Sequence, residues 1–109
     1  MEIRNAIHPE HAVLFDTEEL RENFLIQNLF TPDTFKLVYS YFDRLIVGGV
    51  CPVDPIKMAV DEKIIGGPYL LERREMGIIN IGGQGSVSID GTVHDLAPKD
   101  GLYIGMGAK

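Results

Sequence analysis

The densest cluster of chemically active side chains is Glu72-Arg73-Arg74-Glu75. An arginine fork takes a carboxylate through two parallel charge-assisted hydrogen bonds, so Arg73 and Arg74 are candidates for holding an acidic ligand. The competing reading is a salt-bridged edge or turn, because exposed ion pairs contribute little. Arg44, flanked by apolar strand residues, is the next candidate, again with a structural ion pair as the alternative. His8 and His11 flank Pro9 and would chelate a metal only on a helix and with further ligands; the proline makes that geometry unfavourable. His94 is expected to be exposed, in a strand whose polar residues point outward. Gly82-Gly83-Gln84-Gly85 is not a phosphate cradle: dinucleotide loops open a helix, and here an alternating strand follows. Tyr39, Tyr41 and Tyr103 are expected to pack on strands rather than act as acids. Cys51 is the single cysteine, so no internal disulfide can form; it is expected to be a small buried hydrophobe beside a strand end.

Turn signals and hydrophobic periodicity set the elements that carry these residues. Residues 1–16 read as an arm leading to a short helix capped by Asp16 or Thr17, with Glu18 and Glu19 at the positive end of its dipole. Leu20, Phe24 and Leu25 mark its apolar face, and it should end by Gln27 or Asn28. Residues 26–30 are expected to run into a first strand, and Thr31-Pro32-Asp33 to turn. An apolar, aromatic stretch from Phe35 to Tyr41 and the run Leu45-Ile46-Val47 read as strand, with Asp43-Arg44 as a turn or a kink between them. Gly48-Gly49 is expected to break the strand, and prolines make residues 51–55 a poor interior strand. Gly66-Gly67-Pro68 turns. Met76 to Ile81, Ser86 to Ile89, Thr92 to Leu96 and Leu102 to Ile104 follow as short strands, with Asp90-Gly91 as a tight hairpin. The expected topology is an antiparallel meander, closing as a sandwich or barrel. The chain stops just after a strand, which suggests a piece of a longer protein.

Composition narrows the function classes. The 109 residues suit one domain, and 45% hydrophobic with 24% charged residues suit a globular chain. The net charge of -6 argues against a nucleic-acid surface. No apolar run approaches the ~18 residues of a membrane span, and Met1-Glu2-Ile3-Arg4-Asn5 is no secretory signal. These features lead to the expectation of a cytoplasmic protein with no nucleic-acid or membrane partner.

Residues 69–105 run strand, Gly-x-Gly turn, strand, Asp-Gly hairpin, strand, Pro-x-x-Gly, strand, which is similar to the order in cupin barrels. Three segments resemble the 5-keto-4-deoxyuronate isomerase family more closely. They are Tyr39-Ser40 with Asp43 to Gly49, Leu71 to Glu75 with Gly77 to Gly83, and Leu102 to Gly105 with Gly107-Ala108-Lys109. The opening, Arg4 with Ile7-His8 and His11-Ala12, is similar as well. The resemblance implies a mainly β, cupin-like antiparallel barrel or sandwich with a short N-terminal helix, present as an incomplete domain. Residues 1–30 would be the arm and helix, and 31–109 the first part of an N-terminal cupin-like domain, with the metal-binding C-terminal half absent.

The same resemblance implies a ketol-isomerase converting 5-dehydro-4-deoxy-D-glucuronate to 3-deoxy-D-glycero-2,5-hexodiulosonate in pectin breakdown. It implies zinc, with three histidines and a glutamate lying outside this chain, and a homohexamer. On a keto-uronate substrate, Arg73, Arg74 and Arg44 become candidates for the carboxylate; no catalytic base is assigned. One departure fits this placement. Against the cupin metal motif, the histidine positions fall on Tyr69 and Leu71, the glutamate on Met76 or Glu75, and the later histidine between Tyr103 and Met106. These do not supply the three N, S or O ligands of a catalytic zinc, so residues 1–109 alone are expected to be inactive. The alternatives are a non-catalytic cupin-like module for sugar binding or assembly, and a metalloenzyme using His8, His11 and His94.

Overall fold

The computed structural model describes residues 1–109 and forms two compact units, Met1–Met58 and Ala59–Lys109. The chain is mainly β, with a few short helices. No helix is long and apolar enough to cross a membrane.

In the first unit, β1 (Glu2–Arg4), β2 (Phe35–Ser40) and β3 (Leu45–Val50) make one sheet in the order β1-β2-β3. The strand β2 is central and its Leu37, Val38 and Tyr39 are buried on successive faces, which is why its sequence alternates only loosely. The β2–β3 pair is antiparallel, and Asp43-Arg44 forms its turn, both residues at positive φ. The β1–β2 pair is parallel, against the all-antiparallel expectation. The N-terminal segment enters the sheet this way, and the Tyr41 N–H donates to Arg4 O at 2.9 Å to extend the ladder.

Gly48-Gly49 does not break β3, which continues through both to Val50. A Cβ on Gly48 would lie 2.6 Å from Leu37 Cδ2, and one on Gly49 would lie 2.6 Å from Leu29 O. Both glycines mark a close approach inside a strand. Residues 26–30 form no strand; this segment runs beside β3 and is held by Lys36 Nζ donating to Gln27 O at 2.7 Å. After β3, Asp33 Oδ1 accepts the N–H groups of Val53 and Asp54, at 2.7 and 2.9 Å, which holds its carboxyl below the ordinary 3.8.

Two helices precede this hairpin. The one-turn α1 (Pro9–Ala12) places Pro9 at the first helical position, where a missing N–H costs nothing. The longer α2 (Thr17–Phe24) is capped by Asp16: its carboxylate accepts the Glu19 N–H at 2.8 Å, and Glu19 Oε2 accepts the Asp16 N–H at 2.9 Å. This reciprocal pair satisfies two orphan donors. The helix ends at Phe24, inside the expected bound of Gln27 or Asn28, and the Arg4 guanidinium takes the carbonyls of Glu22 and Leu25 at that end. Its expected apolar face is half open, with Leu20 and Phe24 exposed and the Phe24 ring 5.6 Å from that of Phe42.

The second unit begins with α3 (Glu62–Ile65), capped by Asp61 and ended by Gly66 in the left-handed conformation. A 3-10 turn follows at Leu70–Glu72, and then β4 (Met76–Ile79), β5 (Gly85–Ile89), β6 (Thr92–Leu96) and β7 (Gly101–Ile104). The hairpin β5–β6 turns at Asp90-Gly91, both at positive φ, as the sequence requires. The strands are not a meander, however: β4 pairs with β7, and the β5–β6 hairpin is nested between them in sequence.

Asn80 explains the departure. Its backbone continues the β4–β7 ladder, donating to Asp100 O at 2.9 Å and accepting from Lys99 N at 2.7 Å. Its side-chain Nδ2 lies 2.8, 2.9 and 3.2 Å from Gly83 O, Leu96 O and Ala97 O, its two hydrogens shared among the three acceptors, and its Oδ1 accepts the Gly82 N–H at 3.0 Å. These bonds turn the chain out of β4 and tie both ends of the hairpin to one side chain. Leu70, Leu71, Leu96 and Ile104 are the buried core of this unit.

Candidate functional site

The charged cluster runs from Glu72, the last residue of the 3-10 turn, to Glu75, just before β4. Arg73 is 80% exposed in its side chain, and its Nε lies 3.6 Å from Glu72 Oε2, the geometry of a loose surface pair. Glu72 is tucked inward: its Oε2 is buried without a hydrogen bond and lies against Gly67, where any Cβ would collide with it. Arg74 is half-buried. Glu75 accepts a hydrogen bond from the Tyr103 hydroxyl, which raises the Tyr103 pKa above the ordinary 10.0; desolvation and the Glu75 charge add to the effect. Arg44 belongs to the first unit, exposed in the turn between β2 and β3. Arg73 and Arg74 are thus placed together by the chain itself, and Arg44 is placed on a separate element.

The residues set against the cupin metal motif lie in the second unit, in β4, β7 and the turns beside them. Met76 faces Ile104 in the β4–β7 register, and Gly107 N donates to Leu71 O at 2.6 Å. Tyr69 OH donates to Gly107 O at 3.5 Å, and Lys109 Nζ stands 4.8 Å over the Tyr69 ring. Lys109 is also tied to the hairpin tip, through its N–H to Asp90 Oδ1 at 2.9 Å. Leu71 and Ile104 are buried in the apolar core of the unit. No three His, Cys, Asp or Glu side chains gather as a group that could hold a metal. These residues do not fit a zinc ion.

The remaining candidates are separate. His8 Nδ1 caps α1, accepting the Glu10 N–H at 3.2 Å, with the His8 and His11 rings 5.8 Å apart. His94 is half-buried rather than exposed. The β6 face that turns inward carries His94 and Leu96, opposite Val87 and Gly85, and Val93 points outward at 63% exposure. Cys51 is exposed, because it lies past the last ladder pair, Phe35↔Val50. Tyr39 packs in the core beside the Tyr41 ring, at 4.9 Å. Tyr103 does not pack: with Ile79 it stands on the outward face of the β4–β7 ribbon, 67% exposed.

Sequence reasoning passed over Asn80, Arg4 and the Glu75–Tyr103 pair. Asn80 carried one usable signal, a lone amide between Ile79 and Ile81 in an apolar run.

No protein-family model matches the chain. Among curated proteins, the 4-deoxy-L-threo-5-hexosulose-uronate ketol-isomerases of Salmonella agona, Salmonella typhi and Salmonella typhimurium are each 50% identical to it over 111 aligned positions. The match covers 100% of this chain and 40% of each relative. The resemblance carried by residues 39–49, 71–83 and 102–109 therefore extends along the whole chain.

Proposed function

We propose that these residues are the N-terminal, metal-free part of a ketol-isomerase that acts on a keto-uronate. The reaction is the conversion of 5-dehydro-4-deoxy-D-glucuronate to 3-deoxy-D-glycero-2,5-hexodiulosonate. The observation that carries the reading is the 50% identity over the full chain to proteins named as ketol-isomerases of a hexosulose-uronate.

Ketol isomerisation moves a proton between adjacent carbons through an enediol-like species. It needs a base at the carbon and an electrophile for the developing oxyanion. Leu71, Met76 and Ile104 supply neither. The zinc ligands that the resemblance implies lie outside this chain, and so does the reacting centre. The part played by residues 1–109 is a folded scaffold for that centre and for the assembly, a homohexamer by the same resemblance, with a cytoplasmic setting suggested by composition. Arg73, with its guanidinium open to solvent, and its neighbour Arg74 are the groups here best suited to the substrate carboxylate, with Arg44 as a further candidate.

The experiment is an assay of the natural protein that contains these residues, with the keto-uronate as substrate. Formation of the diketo product is expected; a folded protein that binds the sugar without turnover would overturn the reading in favour of a non-catalytic binding module. Arg73→Ala and Arg74→Ala should each raise KM by about 10-fold with the fold intact, the scale of one lost charge-assisted hydrogen bond. Unchanged kinetics in both would remove these arginines from the substrate site.

A further inference from the structure

We draw no further inference here: the strongest candidate, the outward face of the β4–β7 ribbon where Ile79 and Tyr103 stand exposed, carries none, because nothing in the structure shows what covers it.

Discussion

Tyr103 and Glu75 show what strand pairing does to a single proton. A phenolate beside the Glu75 carboxylate would lose a hydrogen bond and gain a repulsion, so the neutral hydroxyl is favoured in the fold. A pKa raised on folding adds stability that is complete below 10.0 and disappears as pH climbs through the folded value. In an ultraviolet titration of phenolate absorbance, Tyr103 should ionise above an ordinary tyrosine, and Glu75→Gln should bring its transition down. A transition indifferent to the substitution would mean that Glu75 does not hold the hydroxyl. This pair was hidden in the sequence because its members are far apart along the chain and meet only once β4 lies beside β7. Arg73 and Arg74, by contrast, were legible at once, since adjacency alone makes a charge cluster. His94 was misplaced by a phase error of one residue. A half-buried strand with polar residues on both faces does not announce which face turns inward, and a slip of one residue exchanges the faces.

Elements held by local chemistry were legible, and those held by distant partners were not. The helix cap, expected at Asp16 or Thr17, and the Asp90-Gly91 turn are read within four residues; the cap falls on Asp16 and the turn where the sequence puts it. The parallel β1–β2 pair and the β4–β7 pair span long stretches of chain, and no local signal specifies them. Asn80 is the side chain that closes the second pair around the hairpin. Asn80→Ala leaves the carbonyls of Gly83, Leu96 and Ala97 without that donor, at a cost of about 0.5–1.5 kcal/mol because most of this network faces solvent. Urea unfolding should show a lowered midpoint, and an unchanged midpoint would mean that the nested pairing stands without it. The glycines of β3 give a graded test. Gly49→Ala drives a Cβ into the Leu29 backbone at 2.6 Å, whereas Gly48→Ala meets the end of the Leu37 side chain, with backbone, Lys36 O, no nearer than 3.0 Å. Overpacking should cost about 1–3 kcal/mol at Gly49 and less at Gly48; the reverse order would contradict the close approach of Leu29 to β3.

At the scale of the molecule, the chain spans about 40% of the length of the curated relatives it matches. Its exposed surface is 7997 Å² for 12.1 kDa. Surface scaling gives about 6,000 Å² for one folded body of that mass, and about 7,300 Å² for two separate bodies of half the mass. Either way the chain exposes more than self-sufficient domains do, in keeping with the solvent-facing Ile79, Ile81, Tyr103 and Met106 of the second unit. The mainly β class was legible from turn spacing and strand alternation, but how strands close into layers depends on long-range pairing that composition does not encode. The proposed division of labour rests on residue types alone: Tyr69, Leu71 and Met76 fall at the positions where the resemblance would call for histidine and carboxylate. The most direct measurement is turnover of the keto-uronate by purified residues 1–109, shown to be folded by their β-sheet circular dichroism. The expected result is no diketo product, with or without added zinc. Product formation that survives metal chelation would place the chemistry in these residues and contradict a metal-free scaffold.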